Sequence, residues 1–110
     1  MTLDEKISAE IYNEIMIDLV SDYKRRFQNK SFYQQLNEED KQEIDILLER
    51  FAVDIVSTIL GGLDGSTKLG HFFGGFSVHY EGENIFPSLQ DNFLGFYEDD
   101  FDKKHKIIVE

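Results

Sequence analysis

Apolar residues recur every four positions through the first quarter of the chain: Ile7, Ile11, Ile15, Leu19, Tyr23 and Phe27, joined by Met16 and Val20. That spacing predicts one apolar stripe along a helix. The start is marked by Thr2-Leu3-Asp4-Glu5, a capping box in which the Thr2 hydroxyl accepts from the Glu5 amide and Glu5 reaches back to Thr2. Acids crowd the first turns and Lys24, Arg25 and Arg26 the last, matching the macrodipole at both ends, so the helix is expected to run to about Asn29. The basic triplet is explained as a solvated helix end.

Ser31-Phe32-Tyr33-Gln34 suits a short helical turn through Leu36. Asn37 then opens a second long helix, with its side chain capping near Asp40 and Glu38, Glu39 and Asp40 at the positive dipole end. Ile44, Leu47, Leu48, Phe51, Ile55 and Ile59 follow at helical spacing, and Ala52, Val56 and Leu60 widen the stripe. Two long helices joined by a short segment are expected to lie antiparallel.

Gly61-Gly62 is the expected terminator of that helix, and Asp64-Gly65 a turn. From Leu69 the pattern changes to aromatic and β-branched residues. Alternation is clearest at Phe76-Ser77-Val78-His79-Tyr80, which Glu81-Gly82-Glu83-Asn84 connects to Ile85-Phe86 as a hairpin. Gly74-Gly75 either makes a second tight turn, giving a three-stranded meander from Leu69, or bends one long strand. Pro87-Ser88 suits a helix start, and Leu89, Phe93, Phe96 and Tyr97 return at helical spacing, predicting a last helix to about Glu98. Ile107-Ile108-Val109 suits an edge strand. The fold class is therefore α+β: two long N-terminal antiparallel helices, then a small antiparallel sheet of two to four strands and a C-terminal helix.

Composition narrows the functional classes. A chain of 110 residues supplies one ordinary core, so residues 1–110 are expected to form a single domain. With no cysteine there is no disulfide framework and no thiolate metal site, which suits a reducing compartment. Met1 to Glu5 lack the basic start of a signal peptide, and no apolar run approaches the roughly 18 residues of a membrane span, so cytoplasm is the expected location. The net charge of −11 repels phosphate backbones and anionic lipid, disfavouring direct nucleic-acid or membrane binding. It attracts basic proteins instead.

The candidate chemistry is sparse. Ser66-Thr67-Lys68 is in the wrong order for a phosphate loop and leads toward a strand. His71 and His79 would lie about 26 Å apart on one strand, or on opposite faces of a hairpin, so they do not share a metal ion. Ser66, Thr67 and Ser77 have histidines nearby but no nucleophile elbow. The run Glu98 to Asp102 lacks the spaced acids and glycine of a calcium loop. No catalytic residue, metal or cofactor is therefore expected. A small sheet leaves unpaired edges that accept a strand from another chain, and the Phe and Tyr residues of 69–101 supply anchors beyond those the core takes.

The order of features, two acidic amphipathic helices, then "ILGGLDG", a Gly- and aromatic-rich strand pair and "SLQDNFLGFY", resembles small bacterial immunity proteins that neutralise a cognate toxin domain. The resemblance covers most of the chain and carries no defined motif. It implies an intracellular antidote that blocks a toxin domain, often a basic nuclease. The residues expected to meet such a protein partner are Glu98, Asp99, Asp100 and Asp102, together with Asp64 and His79 on the exposed side of the hairpin. The alternatives are a small homodimeric structural or regulatory protein, and a hydrolase using His71 or His79 with Asp64.

Overall fold

A computed structural model of the chain describes residues 1–85 and 88–104. The expected edge strand at 107–109, the strand end Phe86 and the helix-starting Pro87 lie outside the described residues. The architecture is mostly helical with one small antiparallel sheet. Helix α1 (Leu3–Tyr12), a π-helical segment (Asn13–Leu19) and α2 (Val20–Gln28) form one uninterrupted helix, because the backbone stays right-handed helical at both junctions. Thr2 Oγ1 accepts from the Glu5 amide at 3.4 Å, which caps the helix, and Glu5 reaches back to the Thr2 hydroxyl, at 3.0 Å, rather than to the backbone amide that a capping box would pair. A short helix α3 (Ser31–Gln34) turns the chain into α4 (Glu38–Asp64), whose Asn37 cap accepts from the Asp40 amide at 2.8 Å. The turn sets the end of one long helix against the beginning of the next: the Tyr33 hydroxyl reaches Asp45 at 3.4 Å, and Lys24 pairs with Glu49.

The buried line of the first helix is only in part the one its spacing predicts. Tyr12, Met16 and Val20 are buried with Ser8 and Asp4, whereas Ile7, Ile11 and Ile15 are half-buried and Leu19 and Tyr23 exposed. Both lines repeat every four residues, and the π-helical segment, whose wider turn offsets the drift of about 40° that such a repeat shows on an α-helix, lies in both, so spacing does not choose between them. The choice is made by packing, since Tyr12, Met16 and Val20 belong to the cluster with Val53, Leu89 and Phe93.

Helix α4 corrects the sequence expectation twice. Gly61-Gly62 does not end it: the helix continues to Asp64 and stops at Gly65, whose φ of 86° is the left-handed geometry glycine adopts freely. The two earlier glycines are close-approach positions. A Cβ on Gly62 would sit 2.2 Å from Leu69 Cγ, and one on Gly61 2.4 Å from Thr67 Oγ1. The apolar stripe Leu47, Phe51, Ile55 and Ile59 is exposed, and Glu49, Val53 and Leu60 are the residues turned inward.

Residues 66–77 form an irregular loop in which only an isolated bridge, Leu69 to Phe72, interrupts the coil. Of the two arrangements open for Leu69 to Gly75, neither the meander nor one long bent strand forms among the described residues, because Gly70, Gly74 and Gly75 all take positive φ and break the extended run; the sheet has two strands, the lower end of the expected range. The sheet is the hairpin β1 (Val78–Tyr80) and β2 (Glu83–Ile85), with Val78 opposite Ile85 and His79 opposite Asn84. Helix α5 (Leu89–Lys104) runs past the expected end at Glu98. Its Leu89 and fully buried Phe93 close one core with Tyr12, Met16, Val20, Val53, Leu60 and Ile85.

Candidate functional site

Helix α5 carries the acidic cluster, and the helical periodicity sorts its members. Glu98 and Asp99 are exposed, while Asp100 is half-buried and accepts a hydrogen bond from the Tyr12 hydroxyl of α1. Asp102 lies on the last turn of the same helix. Ala9, Tyr12, Asn13, Phe96, Asp99 and Asp100 line a recess between the first helix and α5, with polar and apolar surface in nearly equal measure. Burial first, and the Asp100 carboxylate second, hold the Tyr12 hydroxyl far above the ordinary phenol range. Tyr12 is thus a neutral donor that fixes the position of Asp100, and the two outer acids project from a rigid base.

Asp64 stands elsewhere and has another job. Its Oδ2 accepts from the Gln90 amide at 2.7 Å, capping the N-terminal turn of α5 from across the fold. Glu98 lies eight residues further along that helix, about 12 Å at 1.5 Å per residue. His79 is exposed on β1 with its ring 3.2 Å from Ser77 Oγ. The structure therefore brings Glu98, Asp99 and Asp100 together on one helix and leaves Asp64 at its opposite end. Phe72, Phe73, Phe76 and Tyr80 are exposed around the hairpin, and Lys68 lies 5.0 Å from the Phe73 ring centroid.

A second polar centre was not legible in the sequence. Asp4 accepts from the Ser88 hydroxyl and, at 3.3 Å, from the Asn92 amide, while Ser8 Oγ donates to the Leu89 carbonyl at 3.3 Å. Hydrogen bonding by Ser88 first and Thr2 next, with a smaller part from Asn92, holds the Asp4 carboxyl below its usual range against the effect of burial. The network joins the first turn of α1 to the first turn of α5. The signal was present in outline: Asp4 and Ser8 fall on the same four-residue line as Tyr12, Met16 and Val20.

Tyr33 and Tyr97 also hold their protons above the usual range, in both cases chiefly because burial penalises the phenolate. An unfolded tyrosine titrates near pH 10, to within about half a unit. Above that pH the unfolded chain has released protons that the folded chain keeps, so folding stability falls as pH rises. Urea titrations are expected to give level stability between about pH 6 and pH 9 and a steep loss above pH ~10. Tyr12→Phe should make that alkaline loss shallower, and an unchanged slope would show that Tyr12 does not keep its proton.

Among the described residues no group of three or more His, Asp or Glu side chains is arranged to hold a metal ion, and no helix is long and apolar enough to cross a membrane. Compared with protein-family models, with curated proteins and with solved structures, the chain matches none.

Proposed function

We propose that this chain is an immunity-type inhibitor that binds a cognate basic toxin domain inside the cell and neutralises it by covering its working surface. The observation that supports the reading is the placement of Glu98 and Asp99. They stand exposed beside Asp100 in the C-terminal half of α5, where the macrodipole opposes negative charge. Local stability would place lysines there. Three adjacent carboxylates, the innermost held by Tyr12, suit a cationic partner surface, and the net charge of −11 steers such a partner inward.

The test is protection followed by kinetics. Each neighbouring gene product is expressed in a host with and without this chain, and the one whose toxicity is relieved is taken to binding measurements. The double variant Glu98→Lys/Asp99→Lys is expected to slow association by about tenfold at low salt and by much less at high salt. The charge-matched control is Glu39→Lys/Glu43→Lys on exposed positions of α4, which is expected to slow association far less. No relieved toxicity, or an association rate indifferent to the reversal of Glu98 and Asp99, would overturn the reading.

A further inference from the structure

Leu47, Phe51, Ile55 and Ile59 on α4 are 64%, 68%, 46% and 51% exposed, at a constant spacing of four residues. Half-buried Ile44 and Leu48 widen them into one apolar face, in which Ile44, Leu47, Leu48 and Phe51 line an open groove. Isolated exposed leucines are ordinary; a contiguous patch on the order of 500 Å² is the size that marks an interaction surface. We propose that this face is the contact surface for a second copy of the chain, packed as an antiparallel two-fold pair. The pair is independent of the toxin-binding reading, which uses α5.

Charge selects the occupant. One residue in five of this chain is acidic, 22 of 110, yet between Leu47 and Ile59 the exposed charges are Arg50 and Asp54, which cancel. Glu49 is turned inward and only 3% exposed. A docking face for a basic protein would carry the acids found elsewhere on the molecule. A formally neutral face is where another molecule of charge −11 can approach.

Symmetry and area agree with that choice. A ridge of four apolar residues at equal spacing is complementary to itself when reversed: about a two-fold near Val53, Phe51 meets Ile55 of the second copy and Leu47 meets Ile59. Ridges of i±4n residues on two helices interdigitate at a crossing of about −50°, the commonest helix pairing in globular proteins. Two such faces together bury about 1,000 Å² of apolar surface, the lower bound of a specific interface, so the pair should dissociate in the micromolar range.

Sedimentation velocity on the whole chain, from about 1 to 200 μM, tests this. A two-chain species should grow with concentration and with added salt, since salt screens the repulsion between two acidic molecules. Phe51→Glu should leave a monomer throughout, with its helical circular dichroism unchanged because Phe51 is exposed. The chain has no cysteine, so single introduced thiols report geometry. Ile55→Cys offsets the two Cα atoms by about 6 Å along the helices, within the span a disulfide bridges, and should crosslink on oxidation, whereas Leu47→Cys offsets them by about 18 Å and should not. A monomer at every concentration, a dimer that Phe51→Glu leaves intact, or equal crosslinking at Leu47→Cys would overturn the proposal. None of these outcomes bears on protection by Glu98 and Asp99.

Discussion

Truncating Phe93 to alanine is expected to cost about 4 kcal/mol, the largest loss from any single side chain in this fold. Phe93 is the one large side chain with no exposure among the described residues. Its ring meets Tyr12 edge-on at 5.9 Å, and it belongs to the same cluster as Val53, Leu60, Ile85 and Leu89. It therefore touches the layer where α1, α4, β2 and α5 converge, and no single neighbour can move in to fill the space. A domain of this size has roughly 5–15 kcal/mol in hand, so the variant should stay folded only in its colder range. The loss corresponds to a melting temperature lower by roughly 15–30 °C. Phe93→Leu keeps most of the volume and should cost less than about 1.5 kcal/mol. A drop of less than about 5 °C for the alanine variant would mean that the core does not centre on this ring.

The helices were legible because their ends announce themselves locally. Thr2 and Asn37 are caps whose hydrogen bonds involve residues three positions away, so sequence neighbours carry the whole signal. The faces were not legible. In α4 the four-residue repeat from Leu47 to Ile59 is as regular as any core stripe, and only the positions of α2 and α5 decide that the stripe's edge, Ala52, Val56 and Leu60, turns inward with Val53 while its centre stays outside. Gly61 and Gly62 misled for a related reason. Two glycines after an apolar run usually end a helix, but here Thr67 and Leu69 press against the helix surface and require the missing side chains. The strands were over-read between Leu69 and Phe76, where aromatic content suggested a sheet and the positive φ of Gly70, Gly74 and Gly75 shaped a loop.

The candidate site divides along the same line. Glu98, Asp99 and Asp100 are consecutive, so their grouping was visible without a structure. What the sequence could not show is that Tyr12, 88 residues away, fixes Asp100. Asp64 looked like a turn acid available to a partner, and it was grouped with the others on charge alone. Its bond to the Gln90 amide makes it part of the scaffold that sets the direction of α5, and hence of the acids further along. The Asp4, Ser88 and Asn92 network was missed because both of its halves begin helices, where acids and serines are explained by capping before any long-range partner is sought.

Replacing Lys24 with methionine should cost about 3 kcal/mol, far more than a surface charge would. Lys24 was expected to be one of three solvated cations at a helix end, and its neighbours behave so: Arg25 and Arg26 form exposed pairs with Asp22. Lys24 instead pairs with Glu49, whose carboxylate is 3% exposed, and the lysine itself keeps a side-chain exposure of 20%. Exposed pairs such as Arg26 with Asp22 contribute about 0–1 kcal/mol, because water already solvates both ends. A carboxylate in the interior that loses its ammonium keeps its desolvation cost and forfeits the charge that offset it. The partial exposure of Lys24 sets the expectation at the low end of the range for buried pairs. The double variant Lys24→Met/Glu49→Leu removes both charges and should recover most of the loss, whereas Arg25→Met should fall within about 0.5 kcal/mol of the parent. Urea midpoints for the parent, Lys24→Met, Glu49→Leu and the double variant complete the cycle. Lys24→Met and Arg25→Met with equal midpoints would show that the pair contributes no more than a surface contact, and that some other interaction clamps α2 against α4.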